Sequence, residues 1–181
     1  PVLRDGHLLD IGGGSLELLR VAGRALESVH SGPFGAIYVR ERYLRSDPPT
    51  ARELRSLRKA IRAEFAVTAP HPLLFGTGGA VRNLARLVRI QRAYPLRRIH
   101  GLQITRSEMA RLAGRLARAS HEERRRIPGI GTNRADILHA SAVVIDEVMD
   151  MAGAETLTVA GQGLREGLLW QMIRDDPAIL P

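Results

Sequence analysis

The chain lacks cysteine entirely, and Lys59 is its only lysine among 181 residues. Without cysteine, disulfide bonds and thiolate metal sites are excluded, and so is a secreted scaffold held by disulfides. Aromatic residues are also scarce, with three Phe, three Tyr and one Trp. Because single-stranded nucleic acids stack on aromatic side chains, this scarcity argues against a nucleic-acid-binding module.

Long apolar runs are missing as well. No stretch reaches the roughly 18 residues that a membrane-spanning helix needs, and residues 1–6 resemble neither a signal peptide nor a transit peptide. We therefore expect a cytoplasmic protein without a membrane segment. Hydrophobic residues make up 44% of the chain, which is enough for a buried core, and residues 1–181 are expected to form a single domain.

The formal charge of +8 comes almost wholly from arginine, which supplies every basic residue except Lys59. Such a charge attracts polyanions, but a bias in the base composition of the genome would explain it equally well. The run from Glu122 to Arg126 is interpreted as a solvated helix end. The six histidines never recur at metal-ligand spacing, so a zinc or Ser-His-Asp mechanism has little support.

Periodicity predicts a mixed α/β fold. Three antiparallel strands are expected near residues 7–11, 15–21 and 25–30, with further strands at 72–76 and 156–160, giving a sheet of about five strands. Ser/Thr and Glu three residues apart form capping boxes at Thr50, Thr105 and Ser120, which mark helix starts. Further helices are predicted over residues 34–44, after Gly79, over about 133–151 and over 164–173. Those before the last strand form a mainly helical insertion.

Three predicted strands end in glycine turns, at residues 12–14, 76–79 and 161–163. Glycine permits positive φ and close approach of the backbone to a ligand, so its N–H groups can donate to phosphate oxygens. In the first turn, Asp10 and Glu17 are candidate magnesium ligands and Ser15 is a candidate phosphate donor. The alternatives are a polar hairpin for the first turn and ordinary strand-helix packing for the other two. Arg134 is assigned a structural role near the start of the long helix.

Residues 10–18, Asp-Ile-Gly-Gly-Gly-Ser-Leu-Glu-Leu, closely resemble the second phosphate-binding motif of the Ppx/GppA phosphatase family. Residues 76–85 resemble its adenosine-type motif, and residues 128–136 and 157–169 match the run that closes its second lobe, in the same order. Leu16 and Ala80 stand where the family often has Thr. The resemblance covers nearly the whole chain.

The resemblance implies an actin-like, ribonuclease H-like lobe that hydrolyses terminal phosphate from polyphosphate or from guanosine pentaphosphate (pppGpp), with Mg²⁺ as cofactor. It implies that Asp10 and Glu17 are catalytic and bind the metal. By the same motif matching, the phosphate-binding residues are Gly12, Gly13, Gly14, Ser15, Gly78 and Gly79.

In the family, a first lobe carries another phosphate loop and a catalytic glutamate. The resemblance therefore implies that this chain lacks its partner lobe and is largely inactive alone. A non-catalytic module that binds polyphosphate or an alarmone is the alternative. Homodimerisation stays open.

Overall fold

The computed structural model of the chain describes residues 5–67 and 69–176. Residues 1–4, on which the expectation about a leader peptide depends, lie outside these ranges. The described strands are β1 Gly6–Ile11, β2 Leu16–Ala22, β3 Ala25–Gly32, β4 Leu73–Thr77, β5 Gln103–Thr105 and β6 Thr156–Val159. The described helices are α1 Ala36–Arg42, α2 Ala51–Glu64, α3 Gly78–Gln91, α4 Arg106–Arg118, α5 His121–Arg126, α6 Leu138–Met151 and α7 Leu164–Asp175. Within those ranges, no helix has both the length and the apolar composition needed to cross a bilayer.

All six strands form one mixed sheet in the order β3-β2-β1-β4-β6-β5. The predicted antiparallel run is confirmed, since β2 pairs antiparallel with both β1 and β3. Strand β4 lies parallel between β1 and β6, while β5 closes the sheet as an antiparallel edge. The sheet has one strand more than the five or so expected. The strand that was missed is β5, whose three residues are too few to show an alternation of apolar and polar residues.

The helices begin where their capping residues predict. Thr50, Thr105 and Ser120 each accept a hydrogen bond from the backbone of the glutamate three residues on, and each glutamate bonds back. The long helix starts later than the predicted residue 133, because Thr132–Arg134 form a 3-10 turn and α6 begins at Leu138. Residues 138–149 of α6 are all buried, so this helix is the centre of the helical layer.

Buried carboxylates on α6 account for several of the arginines. Arg58 of α2 pairs with both Asp146 and Glu147, and Arg106 of α4 pairs with Asp146 at 2.6 Å. Two helices are thereby fastened to the central one. Part of the arginine excess is therefore structural, since a buried carboxylate needs a charged partner.

The interpretation of residues 122–126 as a solvated helix end is wrong at Arg124. Its side chain is only 1% exposed. The guanidinium group donates to Asp47 and to three backbone carbonyls, including that of Ala135 at 2.7 Å. Five donors in a rigid fork suit this multiple contact. Arg124 thus ties α5 to the segments on either side of it.

His139 on α6 is fully buried, and within the described residues neither ring nitrogen has a hydrogen-bond partner. Burial lowers the pKa of its imidazole from 6.5 to about 3, and the charge of Arg124 acts in the same direction. The unfolded chain therefore binds more protons than the native state below pH 6.5, so stability rises with pH. We expect His139 to lower the unfolding free energy by about 1.4 kcal/mol for each unit by which the pH falls between roughly pH 6 and 4.5.

Denaturant unfolding of wild type and His139→Leu across that pH range checks this. The variant should lose much of the slope, although His7, whose pKa is also lowered by burial, keeps its own share. Carboxylates titrate in the unfolded chain mainly below this range. Equal slopes in the two proteins would contradict the assignment.

Candidate active site

Strands β1, β4 and β6 are adjacent and parallel, so their carboxyl ends meet at one edge of the sheet. Each of these ends leads into one of the three glycine turns. The prediction that the turns open together is confirmed. Ligands of open α/β sheets commonly bind at such an edge.

The first turn, which we call the glycine loop (residues 12–15), has its carbonyl groups occupied and most of its N–H groups free. The N–H groups at the start of α1 donate to the loop carbonyls, from Ala36 to Gly12 at 3.0 Å and from Ile37 to Gly13 at 2.9 Å. The Gly12 N–H donates to the Ser15 carbonyl at 3.0 Å, but within the described residues those of positions 13, 14 and 15 have no protein acceptor. Successive free N–H groups in a turn form a nest for an anion.

Gly35 is essential to this arrangement, and the sequence reasoning missed it. A Cβ atom at Gly35 would lie 2.4 Å from the carbonyl carbon of Gly13 and 2.5 Å from the carbonyl carbon of Gly14. Only glycine lets helix α1 approach the loop closely enough to bond its carbonyls. The signal in the sequence was a glycine at the second position of the helix predicted over residues 34–44, directly before the observed start of α1 at Ala36.

Four polar residues form one row across the sheet. Asp10 of β1 is the register partner of Thr77 on β4 and of Glu17 on β2. Glu17 is in turn the register partner of Ser31 on β3. Register partners project from the same face of a sheet. The Ser31 hydroxyl donates to Glu17 Oε1 at 3.3 Å. The structure therefore brings the two predicted carboxylates side by side, with a hydroxyl residue at each end of the row.

Asp10 is half-buried at the end of β1. Burial raises the pKa of its carboxyl group, the neighbouring charge of Glu17 raises it further, and Arg82 opposes them. Two like charges held together in this way are relieved by a cation or a proton. Arg82, one turn after the start of α3, is a second residue near the site that the sequence reasoning did not select.

The second glycine turn gives α3 an open N-terminus. Gly78 has φ +95°, and a Cβ atom there would lie 2.7 Å from Asp10 Oδ1, so glycine is required. No acidic residue occupies the first turn of the helix, and Thr77 makes no side-chain cap. The N-terminal amides and the helix dipole remain available to an anion. Among the predicted phosphate-binding glycines, positive φ occurs at Gly78 alone, so the expectation of positive φ in the glycine loop is wrong.

A cavity of about 170 Å³ lies between the glycine loop and the N-terminus of α3. Of the predicted site residues, Gly12, Gly13 and Gly79 line it, whereas Gly14, Ser15, Gly78 and the two carboxylates do not. Among the described residues, Arg134 is the only charged residue that lines it, a position that the structural role assigned to Arg134 did not anticipate. The 3-10 turn that delays the start of α6 carries this arginine to the cavity.

The third turn is ordinary strand-helix chemistry, as its alternative interpretation states. The Gly161 N–H donates to His100 Nδ1 at 3.0 Å, and the Gly163 N–H donates to the Glu166 carboxylate at 2.7 Å. These amides are therefore occupied. The turn still borders the site, because the Thr77 hydroxyl donates to the Gln162 carbonyl at 3.3 Å.

The donor set at Asp10 and Glu17 fits Mg²⁺. In proteins this ion is commonly held by one or two carboxylates, with water and substrate phosphate completing its shell. Within the described residues no group of three or more His, Cys, Asp or Glu residues could hold a metal ion. The pair alone thus suits a hydrated ion shared with a phosphate ligand, and a closed all-protein site is not formed.

The fold is an α/β unit whose parallel strands end at one sheet edge, beside free backbone N–H groups and a pair of carboxylates. The family model of the Ppx/GppA phosphatases matches residues 4–175, and the chain belongs to that family. It is 36% identical over 180 residues to an uncharacterized protein of Streptomyces coelicolor, covering 94% of this chain and 53% of that protein. It is 27% identical to exopolyphosphatase 2 of Mycobacterium tuberculosis, covering 89% of this chain and 53% of that protein.

A solved structure confirms the fold. The Ppx/GppA family member of Aquifex aeolicus superposes with a TM-score of 0.83 at 25% identity, covering 95% of this chain and 57% of that one. The prediction of an actin-like ATPase lobe is thereby confirmed. The chain spans about half the length of these relatives.

Proposed function

We propose that this chain is one lobe of a Mg²⁺-dependent phosphohydrolase that removes the terminal phosphate of polyphosphate or of pppGpp. The observation that carries the proposal is the glycine loop, whose free N–H groups lie beside the Asp10–Glu17 pair. Further support comes from relatives named exopolyphosphatase and guanosine-5'-triphosphate,3'-diphosphate pyrophosphatase.

In this proposal the N–H groups of Gly13, Gly14 and Ser15 bind the non-bridging oxygens of the terminal phosphoryl group, and the Ser15 hydroxyl adds a donor. The N-terminus of α3, with Gly78 and Gly79, faces the same group. These fixed donors stabilise the charge that the phosphoryl oxygens carry in the transition state. Arg134 supplies a positive charge from the far side of the cavity.

Asp10 and Glu17 are the residues that would hold Mg²⁺. The bound ion would neutralise phosphate charge and lower the pKa of a water ligand. The two carboxylates orient the attacking water, which forms a bond to phosphorus as the bond to the bridging oxygen breaks. One orthophosphate leaves, and the substrate becomes shorter by one phosphate.

The two-lobed character of the enzyme is part of the proposal. Relatives about twice as long support it. So does helix α7, which exposes Leu168, Leu169, Trp170 and Met172. Contiguous exposed apolar residues indicate a surface that packs against other polypeptide. The catalytic glutamate of the first lobe, implied by the family resemblance, would then complete the site across the cleft.

Phosphate release from polyphosphate and from pppGpp tests the proposal, with Mg²⁺ present and after EDTA. The two proteins compared are this chain and the same chain joined to a first lobe. We expect release from the two-lobed protein with Mg²⁺, and little from the chain alone. Saturable binding without release from either protein would instead favour a non-catalytic module that binds polyphosphate or an alarmone.

A further inference from the structure

A second cavity, of about 420 Å³, lies where the C-terminal half of α3 meets the turn after β6. We call it the arginine cleft. Within the part of the chain that the structure describes, no carboxylate lines it. The lining residues are Arg86 and Arg89 of α3, Arg97, Arg98, Ile99 and His100 of the following segment, and Gly161 and Gln162 of the third glycine turn.

The four arginines of the cleft differ from those that hold the helices together. Arg58 and Arg106 each pair with two carboxylates, whereas within residues 5–67 and 69–176 no arginine of the cleft forms a salt bridge. Arg89 donates to the Arg97 carbonyl at 3.2 Å, and Arg86 donates to Asn83 Oδ1 at 3.0 Å. Four guanidinium groups around one cavity repel each other, and a bound polyanion would offset that repulsion.

The segment that carries Arg97 and Arg98 is fixed at its C-terminal end by backbone hydrogen bonds to β6. Gly101 N–H donates to the Val159 carbonyl at 2.8 Å, and Val159 N–H donates to the Leu102 carbonyl at 2.9 Å. His100 Nδ1 accepts from Gly161, so the neutral ring carries its proton on Nε2 as a donor. Such preorganisation lowers the entropy cost of binding a ligand.

Two contacts connect the arginine cleft to the candidate active site. Asn83 lines the cavity beside the glycine loop, and it accepts the hydrogen bond of Arg86, which lines the cleft. Thr77, in the polar row with Asp10, donates to Gln162 of the cleft. From Gly79 to Arg89 the axis of α3 rises about 15 Å. A single phosphate group cannot span that distance, but a chain of phosphates can.

We propose that the arginine cleft binds the part of a linear polyphosphate chain that lies beyond the phosphate being cleaved. This inference rests on the proposed function and names polyphosphate as the preferred substrate class. Among the described residues the cleft lining carries four arginines and no Phe, Tyr or Trp on which a base could stack, which suits a ligand with one charge per phosphate and no base. Arginine forks bind phosphate oxygens in pairs.

The test uses the two-lobed protein and the double variant Arg97→Gln/Arg98→Gln. Both side chains are exposed, and within the described residues neither guanidinium forms a hydrogen bond or a salt bridge. We expect KM for long-chain polyphosphate to rise at least about tenfold, with kcat little changed, because two charge-assisted contacts in the ground state are lost. KM for tripolyphosphate should stay within about twofold, since a chain that short gains little from the cleft.

Arg111→Gln/Arg115→Gln is the matched control, because it removes the same charge from exposed positions on α4, at a different cavity. It should leave both KM values unchanged. An equal rise of KM for long chains in the two double variants would overturn the proposal, since net charge alone would then explain the effect.

Binding of long-chain polyphosphate, measured without turnover, separates this inference from the proposed function. Suppose that the two-lobed protein releases no phosphate, but that the cleft variant, unlike the control variant, binds polyphosphate at least about tenfold more weakly and with a shallower salt dependence. The proposed function would then fail, and the cleft assignment would stand. Normal hydrolysis with unchanged binding in the cleft variant would overturn the cleft alone. Equally tight binding of RNA, lost in the same variant, would overturn the choice of polyphosphate.

Discussion

Asp10→Asn in the two-lobed protein should lower kcat/KM for polyphosphate by about 10²–10⁴-fold, and Glu17→Gln should do the same. Each change keeps the shape of the side chain but removes a charge from the pair of strand residues that flank the glycine loop. The loss should appear mainly in kcat, because in the proposed mechanism the two carboxylates orient the attacking water, while the glycine-loop N–H groups that bind ground-state phosphate are unchanged. Steady-state phosphate release at saturating Mg²⁺ measures it.

Stability distinguishes this effect from misfolding. Burial and the charge of Glu17 raise the pKa of Asp10, so its ionised form is disfavoured in the folded state. Removing that charge at neutral pH should therefore leave the unfolding free energy equal to or above that of wild type. Loss of activity together with a large loss of stability would contradict the catalytic assignment, as would normal activity in either variant.

Ser31→Ala is the matched control within the polar row. Its hydroxyl donates to Glu17 from the third strand, in an exposed contact that water can replace. We expect a loss of kcat/KM below about tenfold, consistent with one exposed hydrogen bond. A loss as large as that of Glu17→Gln would show that the row acts as a unit whose geometry Ser31 fixes.

The pattern of the sequence was sufficient for the parts of the fold that depend on local chemistry. The capping boxes at Thr50, Thr105 and Ser120 placed three helix starts correctly, because a cap is satisfied within four residues. The three glycine turns could be assigned to one sheet edge because they follow strands that turned out parallel and adjacent. The resemblance of several ordered motifs to a known family then predicted the actin-like fold.

Long-range contacts could not be predicted in the same way. Arg124 lies in a charged run that looks solvated, yet it is buried because Asp47 and carbonyls from distant segments converge on it. Arg134 reaches the cavity only because a 3-10 turn precedes α6. No sequence pattern near Arg124 indicates that Asp47 is its partner, and none near Arg134 indicates the 3-10 turn.

The role of glycine in the site was predicted for a reason that is partly wrong. The glycine loop does not use positive φ; it uses the close approach of α1, which takes up the loop carbonyls and leaves the N–H groups free. The residue that this geometry requires to be glycine is Gly35, which lies outside the loop. An anion nest of this kind depends on a tertiary contact, so the loop sequence alone does not reveal it.

Gly35→Ala should therefore disable the glycine loop without changing any group that contacts phosphate. The added Cβ would lie 2.4–2.5 Å from backbone atoms of Gly13 and Gly14, and backbone cannot move aside as a flexible side chain does. The loop or α1 must shift, and the bonds from Ala36 and Ile37 to the loop carbonyls lengthen. We expect kcat/KM to fall at least about 10²-fold, as for a misplacement of about 1 Å, with about 1–3 kcal/mol lost in stability.

Gly114→Ala on α4 is the matched control, since the nearest atom to the added Cβ belongs to the flexible guanidinium end of Arg118, at 3.2 Å. It should keep full activity and gain slightly in stability, because alanine favours the helix. Phosphate release and denaturant unfolding of both variants make the comparison. If Gly35→Ala hydrolysed polyphosphate normally at wild-type stability, α1 would not position the glycine loop, and the free N–H groups would need another explanation than phosphate binding.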